Sequence, residues 1–182
     1  MPLNVTSYQH QFGVPFSFDG KLLFFYTWEK GVEAISLETG ETVWKLHAKH
    51  AGRIAVYDSY IIVIQQEIAV LKVDIGTGEI LARIGCDAED RFALGGPYQL
   101  IDSIRGKLSV LDTRDMTVKK TYSKNVIRPQ GWDTLILDAV LKDKVLTLSG
   151  WEYIKTDGQN RAEPKRFSRV IDDSFAIEDG SL

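Results

Sequence analysis

Cysteine is almost absent. Cys86 is the only one among 182 residues, so no internal disulfide can form, which suits a reducing compartment. Histidine is also scarce, at three residues. The short patterns that carry common chemistry are missing: there is no H-E-x-x-H, no C-x-x-C, no G-x-S-x-G and no phosphate-cradling glycine loop. No apolar run approaches the ~20 residues needed to span a bilayer. The longest, such as LLFFY at 22–26, are strand-length. The opening MPLNVTSYQHQF lacks the basic and apolar regions of a signal peptide. Positive charge is not in excess either, with 22 basic residues against 25 acidic, a net charge of −3 and a pI near 5.6. These absences lead to the expectation of a soluble cytoplasmic chain with no cofactor, no membrane partner and no nucleic-acid partner.

What is present is ordinary globular material, 44% hydrophobic and 26% charged, which excludes disorder. A chain of this length buries roughly 70% of its unfolded surface and needs no metal or disulfide staple. Its main signal is a repeat. SLETGE at 36–41, DIGTGE at 74–79 and DTRDMT at 112–117 lie 38 residues apart, twice in succession. A short β pattern precedes each turn (32–35, 70–73, 108–111) and another follows it (42–46, 80–84, 118–122). Upstream, DGKLLFF at 19–25 matches DSYIIVI at 58–64, with counterparts at 96–101 and 143–149. Each of these has one more apolar stretch before it. The expectation is all-β: one domain over 1–182, with four strands in each of four units at about 12–46, 53–84, 91–122 and 134–171. Leu3 and Val5, or Phe175 and Ile177, are candidates to protect the exposed strand edges.

The segments VEAISLETGETVWKL and IAVLKVDIGTGEILARI resemble the quinoprotein-like (PQQ-like) β-propeller repeat: apolar strand, Asp-x-x-Thr-Gly, apolar strand ending near Trp. Trp44 holds the Trp place, Ala82 and Lys120 replace it in the next two units, and Ser36 stands where the pattern has Asp. The resemblance covers residues about 14–122 well and 134–171 weakly. It implies a small propeller of about four blades, a noncatalytic short member. Quinone dehydrogenases of the family are far longer, so neither quinone nor calcium is carried over.

In such a blade the b–c turns and d–a connections share one end, and the Thr-Gly turns lie at the other. The first end collects the varied residues, and binding residues commonly sit on loops held by a rigid frame. Trp28-Glu29 aligns with Trp151-Glu152 at the b–c position, where the middle units carry Glu67 and Arg105. Asp87, Glu89 and Asp90 make an acidic d–a loop, and Trp132 and Asp133 close the longest one. The tryptophans fit a role as interface anchors and equally fit a role as core folded back on each blade. The acidic loop fits partner steering and equally a solvated surface. His47 and His50 have a spacing that ligates metal only if further ligands converge.

The reading that follows is a noncatalytic protein-binding propeller, an inhibitor or immunity-type protein for a basic, nuclease-like bacterial toxin, monomeric or in a one-to-one complex. The alternative is a carbohydrate-binding or carbohydrate-active propeller using Trp platforms and carboxylates. A third reading, an assembly scaffold like the propeller lipoprotein of outer-membrane biogenesis, is disfavoured by the missing signal peptide and lipid-attachment cysteine.

Overall fold

Short β-branched and aromatic runs between Gly, Asp and Ser punctuation form strands throughout, because such side chains fit a pleated, half-buried surface. The computed structural model describes residues 16–18, 20–126, 132–142, 145–154 and 165–172, with side chains omitted at 16–18, 89–93, 95, 126, 132–135, 137, 153–154 and 172. The first sheet holds β1 (Phe16–Phe18), β2 (Leu22–Thr27), β3 (Gly31–Ser36) and β4 (Thr42–Leu46). The second holds β5 (Ala51–Val56), β6 (Tyr60–Gln65), β7 (Ala69–Asp74) and β8 (Ile80–Gly85). The third holds β9 (Ala88–Gly95), β10 (Tyr98–Ser103), β11 (Lys107–Asp112) and β12 (Thr117–Ser123). A single 3-10 turn, Lys124–Val126, follows. The fourth sheet holds β13 (Trp132–Lys142), β14 (Val145–Ile154) and β15 (Lys165–Asp172). Every sheet is antiparallel, with sequence neighbours paired in space. Among the described residues no helix is long and apolar enough to cross a membrane.

The chain divides into two compact units, Met1–Arg91 and Phe92–Leu182. In the first, Phe24, Val32, Ala34 and Trp44 of the first sheet pack with Ile54, Ile61, Val63, Leu71 and Val73 of the second. In the other, Leu94, Tyr98, Leu100, Leu108 and Val110 pack with Ile136, Ala139, Leu146, Leu148 and Phe167. The alternation at Ile61 and Val63, or Leu146 and Leu148, is the period of two that puts every second side chain on one face. Each large side chain buried this way contributes ~1.5–3 kcal/mol.

The all-β, multi-sheet expectation holds, with three corrections of detail. Residues Val145–Ile154 form one strand, β14, so Trp151 and Glu152 are not on the b–c turn expected for them. Gly150 is a buried strand position paired with Ile136 and Phe167. The expected acidic loop shrinks to Cys86-Asp87, because Glu89 and Asp90 already belong to β9. Trp132 and Asp133 do not close a loop but begin β13, opposite Ile154 and Tyr153. Leu3, Val5, Phe175 and Ile177 lie outside the described residues.

The repeat turns work by local hydrogen bonding. Asp74 Oδ1 accepts from the Gly76 and Thr77 amides at 2.9 and 2.8 Å and from the Thr77 hydroxyl at 3.1 Å. Ser36 does part of this in the first sheet, accepting from the Thr39 amide at 3.2 Å. Gly40 and Gly78 take the positive φ values that close the turns, 74° and 76°, and Met116 takes that place in the third sheet at 58°. Above the Gly78 turn lies Trp44, whose Nε1–H donates to the Ile75 carbonyl at 2.9 Å. A Cβ on Gly78 would stand 2.7 Å from the indole. The third-sheet turn is held by charge instead. Arg114 forks onto Asp112 (Nε to Oδ1 3.1 Å, a terminal nitrogen to Oδ2 2.8 Å) and reaches the Tyr98 hydroxyl at 3.1 Å. Lys119 bridges to Asp115 at 3.0 Å.

Two outcomes follow from these turns. Gly78→Ala and Gly40→Ala incur a similar backbone cost, ~1–2 kcal/mol for a Cβ at positive φ, but only Gly78→Ala also drives a methyl into a buried indole. It should therefore unfold at lower urea than Gly40→Ala, and Trp44→Ala should lose ~3–5 kcal/mol. Equal midpoints for the two alanine variants would show that Trp44 does not rest on this turn.

The second outcome concerns acid. The Thr77 hydrogen bonds hold Asp74 below the usual carboxylate range. Burial pushes Asp112 up, but its bonds from Arg114 outweigh that and lower it. The Thr117 hydroxyl and Lys119 hold Asp115 down to about 2, from an ordinary 3.8. Groups depressed on folding contribute stability above their unfolded pKa and lose it as pH falls through the folded one. Stability should therefore decline as pH drops from about 4 towards 2, and Asp115→Asn should flatten the decline. Urea titrations across that range measure both.

Candidate functional site

The b–c turns and the connections that follow the d strands are tied together by one recurring backbone bond. His50 N–H donates to the Trp28 carbonyl at 2.6 Å, Cys86 N–H to Ile68 at 3.1 Å, and Lys124 N–H to Gly106 at 2.8 Å. Ile68 and Gly106 are 38 residues apart, as are Cys86 and Lys124, so the bond repeats with the sequence. In the third sheet an ion pair between Lys124 and Asp102, both largely buried, reinforces it.

In the first unit this ladder is dense. Gln66 N–H donates to the His50 carbonyl at 2.8 Å and Glu67 N–H to the Ala88 carbonyl at 2.8 Å. Gln65 Nε2 donates to the Lys49 carbonyl at 3.0 Å. Gly31 lets the connection pass close: a Cβ there would stand 2.4 Å from the Ala48 nitrogen, and its φ is 97°. His50 and Glu67 themselves adopt positive φ, 62° and 61°. That geometry is uncommon for residues with a side chain and persists where the surroundings enforce it.

On this backbone the side chains form a surface. Trp28 is 51% exposed and lies flat on His50, ring centroids 4.3 Å apart and planes 11° apart. Ile68 is 36% exposed. Glu29, Lys30, His47, Lys49 and Glu67 are exposed, giving mixed charge, while Asp87 is half-buried. Burial pushes the Cys86 thiol up, away from reactive thiolate chemistry. His50 is engaged with Trp28, and no group of three or more His, Cys, Asp or Glu side chains among the described residues is placed to hold a metal.

The expected site residues fall on both compact units. Trp28, Glu29, Glu67 and Asp87 share this end of the first unit. Arg105 is exposed on the b–c turn of the third sheet, next to Ile104. Trp151 lies within β14 under the Arg166 guanidinium, 5.1 Å from its ring, and Glu152 is paired with Arg169 at 2.5 Å. The side chains of Glu89, Asp90, Trp132 and Asp133 lie outside the described set. Sequence reasoning passed over Ile68 and Lys49. Ile68 reads as the first apolar residue of β7, and only the turn geometry leaves it outside.

No protein-family model and no curated protein matches the sequence. Solved structures match its fold. BamB from Moraxella catarrhalis superposes with a TM-score of 0.54 at 16% identity, over 74% of this chain and 46% of that one. The computationally designed Ika8 protein superposes at 0.59 and 13% identity, over 74% and 42%. The Pan2 WD40 domain of Neurospora crassa does so at 0.56 and 12% identity, over 76% and 44%. The chain thus spans less than half the length of the solved structures it matches, and at these identities the likeness is one of fold. The resemblance to the quinoprotein-like repeat is supported as far as propeller architecture. Four antiparallel meanders among the described residues, with these structural neighbours, make the chain's fold a β-propeller fold.

Proposed function

We propose that the chain is a noncatalytic protein-binding propeller module and that the b–c end of its first unit is the contact surface. The observation that carries this reading is Trp28: half-exposed, yet fixed by stacking on His50 and by the His50–Trp28 backbone bond. A large aromatic held in place before contact loses little entropy on binding, which is the profile of an interface anchor. Ile68 extends the apolar surface, and Glu29, Lys30, Lys49 and Glu67 supply a polar rim. In its finer form the reading is an inhibitor or immunity-type protein for a basic toxin. The acidic balance and the exposed Glu29 and Glu67 support that form.

The test is photo-crosslinking in the source cells from residues introduced at Glu29 and Glu67, against Glu41 and Glu79 beside the Thr-Gly turns. Adducts should form from the first pair. With the captured partner, Trp28→Ala should weaken binding by about 30-fold, equivalent to ~2 kcal/mol. Neutralising Glu29 and Glu67 should mainly slow association and flatten its salt dependence. For the toxin form, the partner should be a basic enzyme that the chain inhibits. Adducts only from Glu41 and Glu79 would place the contact at the other end.

A further inference from the structure

In each sheet the last strand in chain order is also an outer strand, with one edge left without a neighbour among the described residues. Such edges are commonly guarded by charge, above all by lysine. β4 carries Lys45, bridged to Glu33 at 3.0 Å. β12 carries Lys119, bridged to Asp115 at 3.0 Å, and Lys120, whose ammonium lies 5.5 Å from the centre of the Tyr122 ring. β15 carries Lys165, Arg166 and Arg169. β8, Ile-Leu-Ala-Arg-Ile-Gly, has neither lysine nor proline. Ile80 and Leu81 at its start are 50% and 52% exposed.

The register of β8 decides which backbone groups face outward. Cys86 N–H bonds back to the Ile68 carbonyl at 3.1 Å, and Ile84 and Ala82 stand opposite Val70 and Lys72. Backbone groups along an antiparallel strand alternate in direction. Residues 82, 84 and 86 therefore turn theirs toward β7, and Arg83 and Gly85 turn theirs away from it. Gly85 is exposed and carries no side chain to obstruct an incoming backbone, and even a Cβ there would meet nothing within 4 Å. Arg83 supplies the chemistry. It is exposed, and among the described residues its guanidinium has no ion pair, hydrogen bond or ring contact. Every other arginine whose side chain is described has a partner.

We propose that the outer edge of β8 is a docking site for an extended acidic segment of another protein, which joins the second sheet as a further strand and sets a carboxylate against Arg83. The outward amides and carbonyls supply the pairing, and Ile80 and Leu81 supply apolar contact. Arg83 selects the occupant, because its planar fork matches a carboxylate and an opposite charge across a strand pair is favourable. A second copy of β8 is a poorer occupant. Two copies paired antiparallel about the middle of the strand bring Arg83 close to its own counterpart, and like charges there repel. The site is independent of the contact surface proposed at Trp28.

The probe is a capped seven-residue peptide of alternating valine and threonine with glutamate at its centre, titrated into the 182-residue chain. Binding should slow hydrogen exchange at the Arg83 and Gly85 amides and leave exchange along β12 unchanged. The same peptide with a central lysine should bind about 5-fold more weakly, and Arg83→Glu should reverse that order. Methylating successive amide nitrogens of the peptide, which removes the donors on both of its edges, should abolish binding. Leu81→Lys, at an already exposed position, should weaken binding with an unchanged sheet spectrum, whereas Val118→Lys, equally exposed on β12, should not. The proposal is overturned by the absence of saturable binding, by equal affinity for the two peptides, by binding of the methylated peptide, or by equal loss in Val118→Lys. A two-copy mass in light scattering that Leu81→Lys reduces to one copy would also overturn it, by giving the edge to a second β8.

Discussion

The indole of Trp44 rests on a turn that has no side chain where the ring must lie. That constraint organises the first unit. Gly78 leaves the space, Asp74 shapes the turn by gathering two amides and a hydroxyl, and the Ile75 carbonyl is thereby aimed at the indole N–H. The same indole packs against Phe24 with ring centroids 5.9 Å apart. One residue on the outer strand of a sheet thus joins a local turn to a core between two sheets. Ala82 and Lys120 hold the corresponding repeat positions and carry no indole. The third-sheet turn accordingly relies on a different device, a buried Asp112 carboxylate held by Arg114.

The opposite end of the blades depends on a quieter constraint. A connection leaving a d strand must satisfy its own backbone groups, because buried amides without partners cost free energy. Here each connection pays that debt by bonding to the b–c turn of its own sheet. The side chains of turn and connection are brought together as a consequence. Trp28 and His50, twenty-two residues apart, become a stacked pair. A binding surface arises from backbone accounting, with the chemistry supplied by whichever residues occupy those positions.

Much of this was legible in the sequence. The 38-residue spacing of SLETGE, DIGTGE and DTRDMT marked the c–d turns, and Thr-Gly marked where positive φ was needed. Trp44 was identifiable from its position in the repeat. Less legible were places where a punctuation residue had another use. Gly150 breaks the apolar pattern of residues 145–156, but in the fold it is a buried strand position. Glu89 and Asp90 look like loop residues by charge, but β9 begins at Ala88. Charge reports solvent preference, and a strand can meet that preference without ceasing to be a strand.

The sequence by itself determined the strand periodicity, the turn positions and hence the all-β blade architecture, because those depend on residues close together in the chain. Tertiary structure alone decided which expected site residues stand together. Trp28 meets His50, Glu152 is bound to Arg169, and Trp151 lies along a strand under Arg166. Those outcomes rest on pairings between segments 15 to 22 residues apart. They are set by strand register and by the route of the connections, which no local pattern encodes.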